Sequence, residues 1–269
     1  MKQRALEAGV PVLQPPRLRD AGWPEKLREF GADVAVVIAF GQILPRAVLD
    51  VPARGSINVH ASLLPRYRGA APIAWAIMRG ETETGITTIQ MDEGMDTGAM
   101  LLRVPTPIVP DETAGDLARR LAALGADVLI DTLARIDTFT PIPQRHEDAT
   151  LAPRLKKTDG HLDWDRPQQE IHNMIRACNP WPGALTLIDK DQSPLTIWNA
   201  ASIACAHSEA NGRLFSYQAD VVIATSGGAI LPIEVQPPNR RAMPWADFLR
   251  GARIGSGARF VSPLHFPIP

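Results

Sequence analysis

An apolar run near the amino-terminal end constrains the fold more than any other feature of the sequence. Residues 33–40 are mostly apolar without regular alternation, which is typical of a strand covered on both faces. Segments 10–13 and 56–60 predict two further strands, and helical patterns separate the three. Strands alternating with helices predict an α/β domain with an open, mostly parallel sheet, in which ligands bind beyond the carboxyl ends of the strands.

Segment 56–60 ends in a pair of polar side chains. Because strand side chains alternate, Asn58 and His60 lie on one face. An amide and a protonated imidazole are two donors that can converge on one oxygen, as acyl transfer requires when that oxygen gains negative charge. A packing histidine beside a turn-forming asparagine is the structural alternative, and the pair alone leaves both interpretations open.

The next segments predict a strand, a polar loop and a long helix. The loop, residues 91–100, holds acids and glycines, but it lacks the ligand spacing of a calcium loop. It is either a surface turn or a loop that carries Asp96 to His60, where a carboxylate would keep the imidazole protonated and relay a proton. Helices are predicted at residues 24–30, 46–49, 71–79, 111–136 (with Asp111 as N-cap) and 165–178, and a strand at residues 85–92.

A change of pattern after residue 140 predicts a second domain. Residues 141–157 are polar and contain prolines, which is typical of a linker. Five short β segments then follow, and they predict a small β-barrel. We therefore expect a catalytic domain at 1–140, a linker at 141–157 and a second domain at 158–269, with strands at 184–188, 195–199, 213–215, 221–225 and 229–234.

Charge and cysteine usage narrow the class of protein. The formal net charge is -1, so a nucleic-acid partner would have to meet a local basic patch. Cys178 and Cys205 are far apart and fit neither a metal site nor a disulfide framework, which favours reduced thiols in a cytoplasmic protein. No signal peptide or membrane span is predicted, and we expect a monomer.

Several segments, taken in order, resemble the folate-dependent formyltransferase family. Asn58, His60 and Asp96 match its catalytic trio, and Ser62, Leu63, Leu64 and Pro65 match its formyl-folate signature. The resemblance covers nearly the whole chain and is closest to members that formylate methionyl initiator tRNA. Further matches lie at residues 81–87 and 91–98 on the flanks and at 179–183 at the start of the second domain.

The resemblance implies a Rossmann-like catalytic domain and an oligonucleotide-fold-like barrel. It implies formyl transfer from 10-formyltetrahydrofolate to methionyl initiator tRNA through a tetrahedral intermediate, without a metal. Asn58 and His60 would stabilise the oxyanion, and Asp96 would orient His60 and help to move the proton of the amine. The signature residues would bind folate, and by their position Gln42, Ile43 and Leu44 would line the pterin pocket.

The carboxyl-terminal part carries a local excess of arginine. Contact with tRNA phosphates by Arg240 and Arg241 and a merely solvated helix face are both compatible with this pattern. From residue 239 onward, five arginines (Arg240, Arg241, Arg250, Arg253 and Arg259) face one acid, Asp247.

Rival functions remain open at this point. A nucleotide-sugar formyltransferase would share the trio and a similar second domain, and a folate- or RNA-binding fragment would share the motifs with little activity. A glycinamide-ribonucleotide formyltransferase would lack the second domain. Members of the family have a strand, a helix, a second strand and a loop before the segment that matches residues 2–9, so we expect a truncated chain, or one with impaired stability and activity.

Overall fold

The computed structural model describes residues 2–20, 22–252, 254–255 and 257–263, which form an α/β unit followed by a β unit. The α/β unit holds α1 (Lys2–Glu7), α2 (Trp23–Arg28), β1 (Ala35–Val37), α3 (Arg46–Leu49), β2 (Ser56–His60), α4 (Pro72–Met78), β3 (Glu83–Gln90), β4 (Ala99–Pro107) and α5 (Ala114–Ala134). Two short 3-10 helices, His146–Asp148 and Lys157–Gly160, lie on the connecting segment. The β unit holds α6 (Gln168–Ala177), β5 (Ala184–Ile188), β6 (Ser193–Ile203), β7 (Leu214–Tyr217), β8 (Asp220–Thr225), β9 (Gly228–Gln236), β10 (Met243–Pro244), α7 (Trp245–Ala252) and β11 (Phe260–Val261).

The first sheet has the order β1-β2-β3-β4, and the expectation of a mostly parallel sheet is wrong for the described strands. Only β1 and β2 run parallel, whereas β3 is antiparallel to both of its neighbours. The seven residues of α4 span only about 10 Å, too little to return the chain along the sheet before β3 begins. The loop of residues 91–98 then joins β3 to β4 as a hairpin.

One side of this sheet is covered by α5. Gly125 in the middle of that helix lies against Val59 of β2 and Ile86 of β3, and an added Cβ would already touch both side chains. Leu117 and Leu121 extend the same apolar contact and are fully buried. The core of the α/β unit therefore sits directly under the strand that carries Asn58 and His60.

The start of α5 differs from the prediction. Thr113, not Asp111, is the N-cap, because its hydroxyl accepts from the backbone N–H of Asp116 and the Asp116 carboxylate accepts from the backbone N–H of Thr113. This reciprocal pair satisfies two otherwise unpaired N–H groups. The Thr113 hydroxyl also donates to the Asp116 carboxylate at 2.6 Å, and this bond, followed by the one from the Thr113 N–H, holds the pKa of the Asp116 carboxyl below its ordinary value.

The edge near β1 carries exposed apolar surface. Residues 10–13, predicted as a strand, pair with no strand in the part of the chain that is described. Val36, Ile38 and Phe40 are exposed and a groove of about 450 Å³ runs along β1, so the expectation that residues 33–40 form a strand covered on both faces is wrong for the described residues.

The second sheet closes on itself and confirms the predicted barrel. Its strands follow the order β11-β5-β6-β9-β8-β7, with β10 added beside β9. The two ends of this path meet, because the Leu214 N–H donates to the Ala258 carbonyl at 2.8 Å and the Phe260 N–H donates to the Gly212 carbonyl at 2.7 Å. The barrel encloses the larger core cluster, which includes Trp164, Ile197 and Ile230.

The two units pack against each other. Helix α6 lies against α4, and Arg176 of α6 donates to the Glu112 carbonyl at 3.2 Å. The Gly115 N–H at the start of α5 donates to the Asn179 carbonyl at 3.0 Å. Among the described residues, no helix combines the length and apolar character needed to cross a membrane.

Candidate active site

The carboxyl end of β2 presents two polar side chains to the same region. Asn58 is half-buried, whereas His60 is buried with 5% of its surface exposed. Their alternation with Ile57 and Val59, which face the core, puts both on one side of the strand, as the sequence predicts.

Asp96 lies between these two side chains. Asn58 Nδ2 donates to Asp96 Oδ1 at 3.1 Å, and His60 Nδ1 lies 3.5 Å from Asp96 Oδ2. The backbone N–H of Gly69 donates to the same Oδ2 at 2.8 Å. The structure therefore brings together the three residues expected from the sequence, and the loop interpretation of segment 91–100 is the one that its geometry supports.

The second ring nitrogen of His60 is also engaged. His60 Nε2 lies 2.9 Å from the carbonyl oxygen of Tyr67, which can only accept, so Nε2 carries the hydrogen. Asp96 on the other side is an acceptor too. A hydrogen on Nδ1 would point toward this carboxylate, so each ring nitrogen of His60 faces an acceptor.

Tyr67 supplies that carbonyl from an unusual backbone conformation. Its φ is 63°, in the left-handed region that side chains other than glycine seldom adopt. The Tyr67 hydroxyl donates to Glu81 at 2.6 Å, and the buried ring lies beside the guanidinium of Arg79. Burial, followed by the bond to Glu81, raises the pKa of Tyr67 to about 12, so the phenol keeps its hydrogen and anchors this turn.

The four signature residues lie in the loop that follows β2, and they divide into two kinds. Ser62 and Leu64 are fully buried, and the Ser62 hydroxyl donates to the Arg66 carbonyl at 2.6 Å. Leu63 and Pro65 are only half-buried. The first pair holds the loop, while the second pair leaves surface available to a ligand.

Gln42, Ile43 and Leu44 follow the carboxyl end of β1, which is parallel to β2, so the two loops share one edge of the sheet. The Gln42 side chain is bound to the segment before α2, accepting from Leu18 N–H at 3.0 Å. Leu44 is buried in a small apolar cluster with Val48. Ile43 is 80% exposed and is the member of the trio that is open to a ligand.

Arg240 and Arg241 lie in the turn between β9 and β10, and both side chains are exposed. No ion pair joins either of them to another residue that the structure describes. The Arg240 carbonyl accepts from Gln236 Nε2 at 2.8 Å, which fixes the turn. Arg253 lies outside the described residues.

Sequence reasoning missed the groups that hold the trio in place. The Tyr67 carbonyl and the Gly69 N–H are backbone groups, and no side-chain pattern signals them. Gln144, on the segment expected to be a linker, contacts the Asp96 loop and Arg68. That segment also pairs with the site loop, since the Arg68 N–H donates to the Thr150 carbonyl at 2.9 Å. Within the described residues, no three His, Cys, Asp or Glu side chains are grouped closely enough to hold a metal ion.

Comparison with known proteins identifies the domain families of both units. Residues 2–133 match the family described as Formyl transferase, and residues 154–253 match the family described as Formyl transferase, C-terminal domain. A methionyl-tRNA formyltransferase from Solibacter usitatus is 46% identical over 256 residues, which cover 94% of this chain and 81% of that protein.

Solved structures show the same fold. HypX from Aquifex aeolicus, in complex with tetrahydrofolic acid, matches with a TM-score of 0.64 at 18% identity, over 87% of this chain and 42% of HypX. WlaRD, a sugar 3N-formyl transferase, matches with a TM-score of 0.64 at 20% identity, over 90% of this chain and 82% of WlaRD. With both domain families matched and a relative at 46% identity over most of its length, the chain belongs to the methionyl-tRNA formyltransferase family.

Proposed function

We propose that Asn58, His60 and Asp96 are the catalytic centre for the reaction of this family. That reaction moves a formyl group from 10-formyltetrahydrofolate to the amino group of methionyl initiator tRNA. The observation that carries the proposal is the Asp96 carboxylate, which contacts the Asn58 amide through one oxygen and the Gly69 N–H and the His60 ring through the other.

Two donors of this cluster suit the formyl oxygen as it gains negative charge. Asn58 uses one amide hydrogen on Asp96 and has a second hydrogen to donate. His60 Nδ1 lies 3.5 Å from Asp96, beyond the usual 2.7–3.2 Å of an N–H···O bond, so an N–H at this position keeps the capacity to donate to a substrate oxygen. Donors placed before the reaction begins stabilise such an oxyanion without reorganisation.

Asp96 has two tasks in this proposal. Its Oδ1 fixes the orientation of the Asn58 amide through a hydrogen bond, and its Oδ2 faces His60 Nδ1. It also accepts the proton that the attacking amine loses, directly or through a water, and passes it toward the leaving nitrogen. Because Oδ1 and Oδ2 are both held by protein donors, the carboxylate is positioned before substrates arrive.

The folate contacts are assigned by exposure. Leu63, Pro65 and Ile43 present apolar surface at the edge of the sheet where the trio lies and would contact the formyl donor. Ser62, Leu64, Gln42 and Leu44 shape the two loops from inside and would act on folate binding indirectly.

The exposed turn of the barrel is the proposed tRNA contact. Arg240 and Arg241 carry two positive charges without an ion pair to any described residue, which suits contact with phosphates. We also infer a cytoplasmic monomer, with residues 1–140, 141–157 and 158–269 as its catalytic, connecting and tRNA-binding parts.

Single-turnover formylation of charged initiator tRNA tests the trio. Asn58→Ala and His60→Ala are each expected to lower the rate by roughly 10²–10³-fold, with a smaller effect on folate binding. Asn211→Ala is the matched control, because Asn211 also bonds an aspartate through its amide but lies on the surface of the β unit. Full turnover in both Asn58→Ala and His60→Ala would show that the trio is assigned wrongly.

A further inference from the structure

Gln144 has a side-chain amide whose hydrogen-bonding capacity is completely used. It lies on the segment between the two units and is 7% exposed. Its Oε1 accepts from Arg68 Nε at 3.0 Å and from Arg68 Nη2 at 2.7 Å. Its Nε2 donates to the Asp96 carbonyl at 2.8 Å and to the Gly98 carbonyl at 2.7 Å. A primary amide has two hydrogens to donate and two lone pairs to accept with, so these four bonds fill it.

The Asp96 backbone needs support of this kind. Its φ is 55°, a left-handed conformation that is strained for a residue with a side chain. Elsewhere in the loop, Asp92 Oδ1 accepts from the Gly94 N–H at 3.0 Å and from the Thr97 hydroxyl at 2.6 Å. Those bonds shape the exposed side of the loop, whereas Gln144 fixes the carbonyls on either side of Thr97 from the buried side.

The same amide also reaches the other loop that grips the Asp96 carboxylate. Arg68, which Gln144 holds through two nitrogens, directly precedes Gly69, and the Gly69 N–H donates to Asp96 Oδ2. One side chain thus connects the backbone of Asp96 with the segment that supplies a donor to its carboxylate.

We propose that Gln144 is a positioning residue for formyl transfer, setting the orientation of the Asp96 carboxylate between Asn58 and His60. The inference rests on the proposed role of Asp96. Gln144 acts through the Asp96 carbonyl and through Arg68, and its effect on the reaction therefore falls on the rate of the chemical step and not on the binding of either substrate.

A purely structural role is the competing explanation, and the chemistry of the amide separates the two. If Gln144 served only to pair the buried guanidinium of Arg68, a carboxylate would replace it well. Gln144→Glu retains acceptors for Arg68 but, when ionised, has no hydrogen to donate to the carbonyls of Asp96 and Gly98. Gln144→Met removes both halves of the interaction at similar size.

The experiment compares steady-state formylation by Gln144→Glu, Gln144→Met, Asp96→Ala and a control, Thr132→Val. The Thr132 hydroxyl is buried, donates to the Val128 carbonyl at 2.7 Å and lies 3.0 Å from the Thr88 hydroxyl. It contacts no member of the trio and neither Gln144 nor Arg68, so its loss removes buried hydrogen bonds without changing a contact of the site. Both Gln144 variants are expected to lose roughly 10- to 100-fold in kcat, with KM for 10-formyltetrahydrofolate and for tRNA changed less than about threefold. Thr132→Val is expected to keep its kcat.

Each contrary outcome has a distinct meaning. A Gln144→Glu enzyme with unchanged kcat would show that Gln144 serves only Arg68, and a loss confined to KM would also overturn the proposal. A Thr132→Val enzyme that loses as much kcat as the Gln144 variants would reduce the effect to general destabilisation. An active Asp96→Ala enzyme would contradict the proposed function itself, whereas inactive Asp96→Ala with active Gln144 variants would overturn this inference alone.

Discussion

Removing the hydroxyl of Thr87 is expected to release the loop that follows β2. This buried hydroxyl donates to the Ser62 carbonyl at 2.7 Å and accepts from the Leu64 N–H at 3.2 Å. Thr87→Val keeps the shape of the side chain and leaves these two buried backbone groups without their partner. At about 1–3 kcal/mol for each of the two unsatisfied groups, the substitution is expected to cost roughly 2–6 kcal/mol.

Thr84 on the same strand provides a matched control. Its side chain is also buried, but its hydroxyl has no hydrogen-bond partner in the structure. Thr84→Val therefore removes a buried polar group that makes no bond, and we expect it to be neutral or slightly stabilising. The two variants make the same chemical change in β3 and differ only in the bonds lost.

Two measurements read the effect. Calorimetry is expected to show the melting temperature lowered by roughly 4–24 °C in Thr87→Val, since 1 kcal/mol shifts the melting temperature of a protein in this size range by about 2–4 °C. Hydrogen exchange is expected to accelerate at the amide of Leu64, which loses its acceptor. Equal melting temperatures for Thr87→Val and Thr84→Val, with unchanged exchange at Leu64, would refute this reasoning.

Two further predictions concern the β unit. Arg240→Ala and Arg241→Ala are each expected to lessen the slope of log affinity for tRNA against log salt by about one unit. Arg28→Ala, which breaks only a surface pair with Glu25, is the control and is expected to leave the slope unchanged. An unchanged slope in all three variants would favour the solvated-face interpretation. Burial, and then the charge of Arg176, lowers the pKa of His172, so the unfolded chain takes up a proton at higher pH than the folded one. The stability that comes from keeping His172 neutral is therefore fully present above about pH 6.5 and is lost as pH drops toward the pKa of the folded state. Between about pH 7.5 and 5.5 the melting temperature of His172→Gln is expected to fall less than that of the unchanged protein. Parallel curves of melting temperature against pH for the two proteins would contradict this.

Local sequence patterns predict correctly those strands whose bounds are set by their own residues and immediate neighbours. Strands β2 and β5 have the bounds expected from the sequence, because alternation and flanking breakers mark both ends. Strand β4 was not predicted, since prolines 105 and 107 argue against a strand, yet it lies at the edge of the sheet, where a missing N–H costs little. The direction of β3 was also missed, because strand direction depends on how far a connection carries the chain and not on the composition of the strand.

In the candidate site, too, local features are predictable from the sequence and long-range contacts are not. The shared face of Asn58 and His60 follows from the two-residue repeat of a strand and needs no tertiary information. The approach of Asp96 to His60 depends on the hairpin between β3 and β4. The sequence left open whether the loop of residues 91–100 is a surface turn or carries Asp96 to His60. Gln144 lies 48 residues beyond Asp96, and its role depends on a long-range contact that leaves no periodic mark in the chain.

The connecting segment links these observations into one constraint on the reaction. It pairs with Arg68 through the backbone of Thr150 and Ala152, and through Gln144 it contacts the Asp96 loop. It then leads into the β unit, which is held against the α/β unit by Arg176 and by the Asn179 carbonyl. The place where tRNA is proposed to bind and the carboxylate proposed to move the proton are therefore joined by hydrogen-bonded segments. For a reaction between an amine on a large tRNA and a small formyl donor, such a connection lets the fold, and not a flexible tether, set the approach of the amine to the trio.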